Sequence, residues 1–237
     1  MESFLLFLRS HGMATAHPLC RWRQFAVALF CAGCAVIGVT VSAAPLAAIV
    51  RDAAGAVVAD AVVYAIPAAG TAAGPRSARN VVIEQVGREF VPYVTVVQAG
   101  TTVAFPNRDK LLHHVYSFSP TKTFEIKLYS GAAPFDVLFD KVGVVTIGCN
   151  IHDWMIAYVY VVDTPYFARS DSAGKAVVGE VAAGEYDLYL WHPQQRNQPA
   201  TTRLKLDGKT AAELALTIDV TPRRQKFKPP ANPASYQ

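Results

Sequence analysis

Beyond residue 34 the sequence holds one cysteine, Cys149; the other three, Cys20, Cys31 and Cys34, fall in an N-terminal stretch that reads as a leader. A single thiol excludes a disulfide framework in the body, and Cys31-Ala-Gly-Cys34, with no histidine following it, is not a haem attachment site. Charge is scarce as well, at 17% of 237 residues. The formal net charge is +4, but Arg9, Arg21 and Arg23 at one end and Arg223, Arg224, Lys226 and Lys228 at the other more than account for it, leaving the body slightly acidic. Nucleic-acid binding needs Lys and Arg clustered on a folded face, so no nucleic-acid partner is expected. No G-x-S-x-G, H-E-x-x-H or phosphate-loop pattern is present. After the leader, histidine is limited to His113, His114, His152 and His192.

The leader reads as an export signal. Arg21-Trp-Arg23 supplies its positive start, Phe25 to Thr40 its apolar centre and Val41-Ser-Ala43 a small-residue cleavage motif. Residues 1–43 are therefore expected to be a signal peptide, with Ala44 the mature N-terminus and the periplasm the destination. Met13 is an alternative start, since the residues before Arg21 are poor signal material. Two rival readings stay open: Phe25 to Ala44 is about 20 apolar residues, long enough to span a bilayer uncleaved, and Cys31-Ala-Gly-Cys34 resembles a lipoprotein cleavage box. In an oxidising compartment a lone thiol such as Cys149 is a liability unless something occupies it. A metal would.

The body is made of valine- and alanine-rich runs broken by glycine and proline, which predicts an all-β fold. Residues 46–66 read as two strands around the turn Asp52-Ala-Ala-Gly55, followed by a loop from Pro67 to Ser77. A new series starts at Val81, with Gln98-Ala-Gly100-Thr101 as a hairpin turn and Phe105-Pro-Asn107 closing a strand. Thr123 to Tyr129 alternates, with Phe124, Ile126 and Leu128 on one face. Met155 to Val162 is a continuous apolar run, as expected of a sandwich-core strand. Later turns are expected at Ser170 to Lys175, Val181 to Glu185 and Asp207-Gly208, between strands at 186–191, 203–206 and 214–220. Residues 221–237, rich in proline, lysine and arginine, read as a disordered tail.

The most informative stretch is Val144-Val-Thr-Ile-Gly-Cys149-Asn-Ile-His152-Asp-Trp-Met155. It offers a thiolate at a strand end, an imidazole three residues on and a thioether six residues on. Copper in an electron-transfer site takes two imidazoles and a thiolate in a near-trigonal plane with a weak axial thioether. Asn107-Arg-Asp-Lys-Leu-Leu-His113-His114 supplies the remaining imidazole from upstream. Alone, Cys149 would read as a small buried hydrophobe and Met155 as a core filler; the register of all four singles them out. This C-x-x-H-x-x-M loop with an upstream histidine resembles the cupredoxins, the plastocyanin, pseudoazurin and amicyanin group, and the short loop is most similar to amicyanin. The D-x-x-G then V-x-x-G-x-Y-x-L pattern of 171–188 resembles the later half of a carboxypeptidase-regulatory-like sandwich, and 46–66 its first half.

The resemblances imply a Greek-key cupredoxin sandwich over 79–163 and a second small β-sandwich made of 45–75 plus 164–220, with the first inserted in the second. The alternative is that 45–75 only adds edge strands to the cupredoxin. They also imply one copper per chain on His113, Cys149, His152 and Met155, with His152 near the surface and His113 deeper. Leu111, Leu112, Ile151 and Trp154 would form the apolar ring on which redox partners dock, ordinary loop packing being the other reading.

Three positions depart from the family pattern. His114 stands where an asparagine usually ties the ligand loops together. Adjacent strand residues face opposite ways, so one of the pair is the ligand; His113 keeps the spacing from Asn107, His114 would lie beside the site, and the reverse stays open. Asn150 could supply a loop-bridging hydrogen bond. Asp153, where amicyanin-like loops carry proline, could lower the potential or bind the metal through oxygen. His192 lies outside the motif and reads as structural.

The function implied is that of an electron carrier rather than an enzyme. Its partners would be periplasmic redox proteins, such as a dehydrogenase and a cytochrome, with no membrane insertion after signal removal. Multicopper oxidases and nitrite reductases use several His-x-His or Cys-His pairs, which this chain lacks. The alternatives are a copper carrier or buffer without an electron-transfer role, and a structural role with the cupredoxin as spacer. The likeness to amicyanin points to methylamine utilisation by analogy alone.

Overall fold

A computed structural model describes residues 42–68, 81–198 and 201–221. The expected leader lies outside these residues except for Ser42 and Ala43, and so does the tail from residue 222. The first strands are β1 (Ala43–Arg51) and β2 (Val62–Pro67). The middle of the chain forms β3 (Val81–Val82), β4 (Glu84–Gln85), β5 (Phe90–Val91), β6 (Val94–Gln98), β7 (Thr101–Ala104), β8 (His113–Ser119), β9 (Lys122–Tyr129), β10 (Val137–Phe139), β11 (Gly143–Gly148) and β12 (Ile156–Val162). The last strands are β13 (Phe167–Arg169), β14 (Lys175–Ala182), β15 (Gly184–Trp191), β16 (Thr202–Leu206) and β17 (Ala212–Thr217). The fold is all-β, and among the described residues no helix is long and apolar enough to cross a membrane.

Two cores organise these strands. A sheet ordered β6-β12-β11-β8-β9 and a sheet ordered β10-β7-β3 close over the first. The first sheet sends Val97, Val115, Ile126, Val145, Ile147, Ala157, Val159 and Val161 into it, and the second sends Val103 and Phe139. The second core lies between sheets β14-β1-β17 and β13-β2-β15-β16, filled by Leu46, Ala48 and Val50 from one side and Val63, Ala65, Leu188 and Leu190 from the other. Alternation along β1 explains its place there: every second residue from Ala44 to Val50 is buried. β1 pairs with β14 and β17, and β2 with β13 and β15. The turn expected at Asp52–Gly55 is present: Asp52 Oδ1 accepts the amides of Ala54 and Ala56, and Gly55 takes φ +84°. The next strand, however, starts only at Val62.

Gln98–Thr101 is not a hairpin turn. β6 pairs in parallel with β12, whereas β7 pairs with β10 and β3, so the turn carries the chain from one sheet to the other. Bonds from Ala99 N to Val162 O (2.9 Å) and from Gly100 N to Phe139 O (2.7 Å) anchor it to both layers. β12 is covered on both faces, as its apolar run predicts, but by different partners. Ala157, Val159 and Val161 enter the first core. Tyr158 and Tyr160 face the other way, toward β2 and β15: Tyr160 stacks on Trp191 with centroids 4.7 Å apart, and its hydroxyl lies 3.1 Å from that of Tyr64. Tyr158 meets Trp191 at 6.1 Å and Tyr93 at 5.5 Å. These rings join the two sandwiches, and burial, with the hydrogen bond to Tyr160, pushes the Tyr64 phenol up.

His192 sits behind this junction, buried at 7% exposure. Burial holds its imidazole below the ordinary value of 6.5, outweighing Asp60 and a backbone bond to Ala59. Its Nδ1 accepts the Gln194 amide at 3.1 Å, which requires the neutral ring. Because the unfolded chain protonates first, this residue's contribution is full above about pH 6.5 and is lost as pH falls from there toward the depressed folded value. Denaturant unfolding at pH 7.5 and pH 5 checks this: His192→Gln is expected to lose less stability on acidification than the unaltered protein.

Candidate metal centre

The centre forms where β8 and β11 come together at one end. Gly148 lies opposite Tyr116, the one rung on which these strands pair. A Cβ at Gly148 would lie 3.0 Å from the Tyr116 ring, so the glycine lets the strands approach just before Cys149. The loop after β11 is closed by bonds from Cys149 N to Met155 O (3.3 Å) and from Met155 N to His152 O (2.9 Å). That short closure turns His152 back over the strand end.

His113, at the start of β8, reaches the same place. His113 Nδ1 lies 3.1 Å from His152 Nδ1, and His152 Nδ1 lies 3.8 Å from Cys149 Sγ. The ligand atoms of these three residues all fall within 4.8 Å of one another, the one such group among the described residues. His113 is fully buried, Cys149 is a free thiol at 4% exposure and His152 is half-buried. Met155, at 2% exposure, packs in the same apolar cluster as Cys149, and both line a cleft of about 580 Å³.

His114 points elsewhere. Its Nε2 lies 2.9 Å from Glu125 Oε1 on β9, on the opposite side of β8 from His113. β8 and β9 are offset here by a bulge: His113 pairs with Tyr129, but Val115 pairs with Ile126. The extra residue on β9 reverses the alternation beyond Lys127. Leu128, expected on the core face, is therefore 51% exposed, and Tyr129 turns inward in its place. Burial, together with nearby Cys149, pushes the Tyr129 phenol up to about 12 against the effect of Gln85, and its hydroxyl donates to Phe105 O.

Asn107 ties the upstream loop. At 3% exposure, its Nδ2 donates to Leu111 O and Tyr129 O, both at 2.8 Å, and its Oδ1 accepts the Asp109 amide at 2.9 Å. Asn150 and Asp153 are exposed and line the cleft beside Cys149 and Met155. Asn107, by contrast, reaches three backbone groups of its own loop and β9 and none of the Cys149–Met155 loop, so it does not bridge the two loops. Asp153 stands outside the His113–Cys149–His152 group. Leu111, Leu112 and Ile151 are about half exposed, and Trp154 lies against His152 with ring centroids 5.2 Å apart.

The sequence reading missed Asp109. Its Oδ2 lies 2.8 Å from His113 Nε2. A carboxylate accepts only, so Nε2 carries a proton and Nδ1 is the ring nitrogen that faces Cys149 and His152. Burial pushes the Asp109 carboxyl up, but bonds from His113 and from the Arg88 and Gly87 amides outweigh it and hold the group below its usual value. Burial lowers His152, helped by His113 and Arg88, which favours the neutral form of that imidazole. The only sequence signal for Asp109 is an acid four residues before His113, between Arg108 and Lys110. Two imidazoles, a free thiol and a buried thioether are the donors copper takes, and the residues present fit it.

A scan against protein-family models and a search of curated proteins gave no match. Among solved structures, the chain is similar to a copper-containing nitrite reductase from Thermus scotoductus, at 23% identity over 41% of this chain and 25% of that one, with a TM-score of 0.34. It is also similar to a purple cupredoxin from Nitrosopumilus maritimus, at 22% identity over 35% of this chain and all of that one (TM-score 0.31). A reduced amicyanin variant matches at 20% identity over 44% of this chain and 99% of that one (TM-score 0.33). The functional reading accordingly rests on the residues of this chain.

Proposed function

We propose that this protein is a copper-dependent one-electron carrier of the cupredoxin type, holding one copper on His113, Cys149, His152 and Met155. The observation that carries the reading is the convergence of His113 Nδ1, Cys149 Sγ and His152 Nδ1 within 4.8 Å, from two segments that are separate in sequence. Bound copper supplies a couple between two oxidation states one electron apart. The chain's part is to bind, orient and exclude water. Asp109 holds the His113 proton at Nε2, and the Cys149–Met155 backbone bond keeps the loop short. Burial of His113, Cys149 and Met155 leaves few ways for the donors to rearrange on electron transfer. Half-exposed Leu111, Leu112 and Ile151 beside His152 form a face that excludes water against a redox partner, in our reading a periplasmic dehydrogenase on one side and a cytochrome on the other.

The pairing of β1 with β14 and β17 and of β2 with β13 and β15 supports treating 45–75 plus 164–220 as one sandwich interrupted by 79–163. We place the mature protein in the periplasm. Ser42 Oγ donates to Gly208 O at 2.6 Å, and Ser42 O accepts the Ala183 amide at 3.2 Å, two bonds that a cut after Ala43 would remove. N-terminal sequencing of exported protein tests that boundary.

The function is tested by titrating the metal-free protein with Cu(II). An intense visible band at one copper per chain is expected, with reversible one-electron reduction. Met155→Leu conserves volume, costs under about 1.5 kcal/mol in stability, and should raise the potential, because the oxidised ion, which draws more on its donors, would lose the thioether. A colourless protein that still binds Cu(I) would replace this reading with that of a copper carrier.

A further inference from the structure

We propose that the two-residue turn Gly87–Arg88, between β4 and β5, is the positioning element for both imidazoles of the centre, acting on His113 through Asp109 and on His152 through Trp154. The proposal deepens the copper reading and rests on it for its purpose, but the geometry stands without metal. Val86 and Glu89 exchange two backbone hydrogen bonds, Val86 N to Glu89 O at 3.0 Å and Glu89 N to Val86 O at 3.2 Å. Between them Gly87 takes φ +61° and Arg88 φ +59°. Two consecutive left-handed residues make the tight hairpin turn whose twist suits the flanking strands. Glycine adopts that conformation freely; arginine does so only where its surroundings hold it.

The surroundings are the centre itself. Successive left-handed residues aim their amides to one side and make an anion cradle. Here the anion is Asp109: Gly87 N donates to Oδ1 at 2.6 Å and Arg88 N to Oδ2 at 2.7 Å. The same Oδ2 receives His113 Nε2. On its other side the turn offers the Arg88 carbonyl, which accepts Trp154 Nε1 at 3.1 Å, while the Arg88 guanidinium lies 5.6 Å over the indole. An indole has one donor, so that bond sets the plane of Trp154, and Trp154 lies against the His152 ring at 52°. Each imidazole thus owes its support to the same two residues, which are remote in sequence from both. A turn of this kind lets the protein bring two Nδ1 atoms to 3.1 Å before any ion is present.

The test is nitrogen-15 NMR of the imidazoles in the metal-free, full-length protein. The unaltered chain is expected to show His113 as the Nε2–H tautomer with slow exchange of that proton. Asp109→Asn should lose this signature while sparing His152, and Trp154→Phe should shift His152 while sparing His113. Gly87→Val touches neither ring, yet is expected to move both together, because a β-branched residue disfavours the left-handed turn. If Gly87→Val does not fold, Arg88→Gly keeps the backbone and removes the guanidinium, and should shift His152 alone. A folded Gly87→Val protein with both imidazole signals unmoved, or Asp109→Asn retaining the slow Nε2 proton, overturns the proposal. Copper binding separates this from the functional reading. Asp109→Asn should weaken it about 10- to 100-fold, whereas an unaltered protein that binds no copper would sink the function and leave the imidazole result to judge the turn.

Discussion

Cys149→Ala is expected to abolish the intense visible absorption proposed for the copper-loaded protein and to weaken Cu(II) binding by more than about 100-fold, the upper figure for losing a partner outside the ligand set, while the fold survives. The band should come from charge transfer out of the thiolate, and the described body has no other cysteine. The two imidazoles and Met155 remain but make a harder, poorer donor set, so residual binding is expected to be weak and nearly colourless. Structurally the change is small. Cys149 is buried at 4% exposure among apolar neighbours, and removing one sulfur from a strand end costs about 1 kcal/mol. Parallel absorption titration and thermal unfolding check both halves. A variant that keeps the band would place the chromophore elsewhere, and one that unfolds would show Cys149 to be a core residue first.

Asn107→Ala is expected to destabilise the protein by about 3 kcal/mol, since each buried polar group left unpaired costs about 1–3 kcal/mol. Asn107 satisfies the carbonyls of Leu111 and Tyr129 and the amide of Asp109 from a single side chain. Without it the loop that carries Asp109, Leu111 and Leu112 into β8 loses its only side-chain anchor to β9 among these bonds. The effect on metal affinity should therefore follow the effect on stability. Denaturant midpoints, read with copper affinity for the same variant, check this. Asn107→Asp keeps one acceptor but cannot donate to either carbonyl, so it should be no better tolerated than alanine. A loss below about 1 kcal/mol would mean that water replaces the amide readily.

The ligand loop was legible because it is local. Cys149, His152 and Met155 sit at fixed offsets on a strand end and a tight turn, where spacing alone brings side chains together. Strand alternation, equally local, allowed only one of His113 and His114, the choice of His113 rested on its spacing from Asn107, and it is His113 that lies in one group with Cys149. Other features depended on contacts between distant segments. A glycine turn at Gln98–Thr101 reads the same whether it joins paired strands or crosses between sheets, because pairing partners are chosen by the whole barrel-like closure of the core and not by the turn. The bulge that exposes Leu128 and buries Tyr129 arises from the mismatch between β8 and β9, and neither strand carries it alone. Asp109 and the Gly87–Arg88 turn look like ordinary loop charge and an ordinary hairpin until the fold lays one against the other. The sequence by itself thus determined an all-β chain with a Cys-His-Met loop and an upstream histidine. Only the tertiary structure decided which sheet each strand joined and which carboxylate holds the imidazole, since both depend on burial and pairing energies shared among segments far apart in the chain.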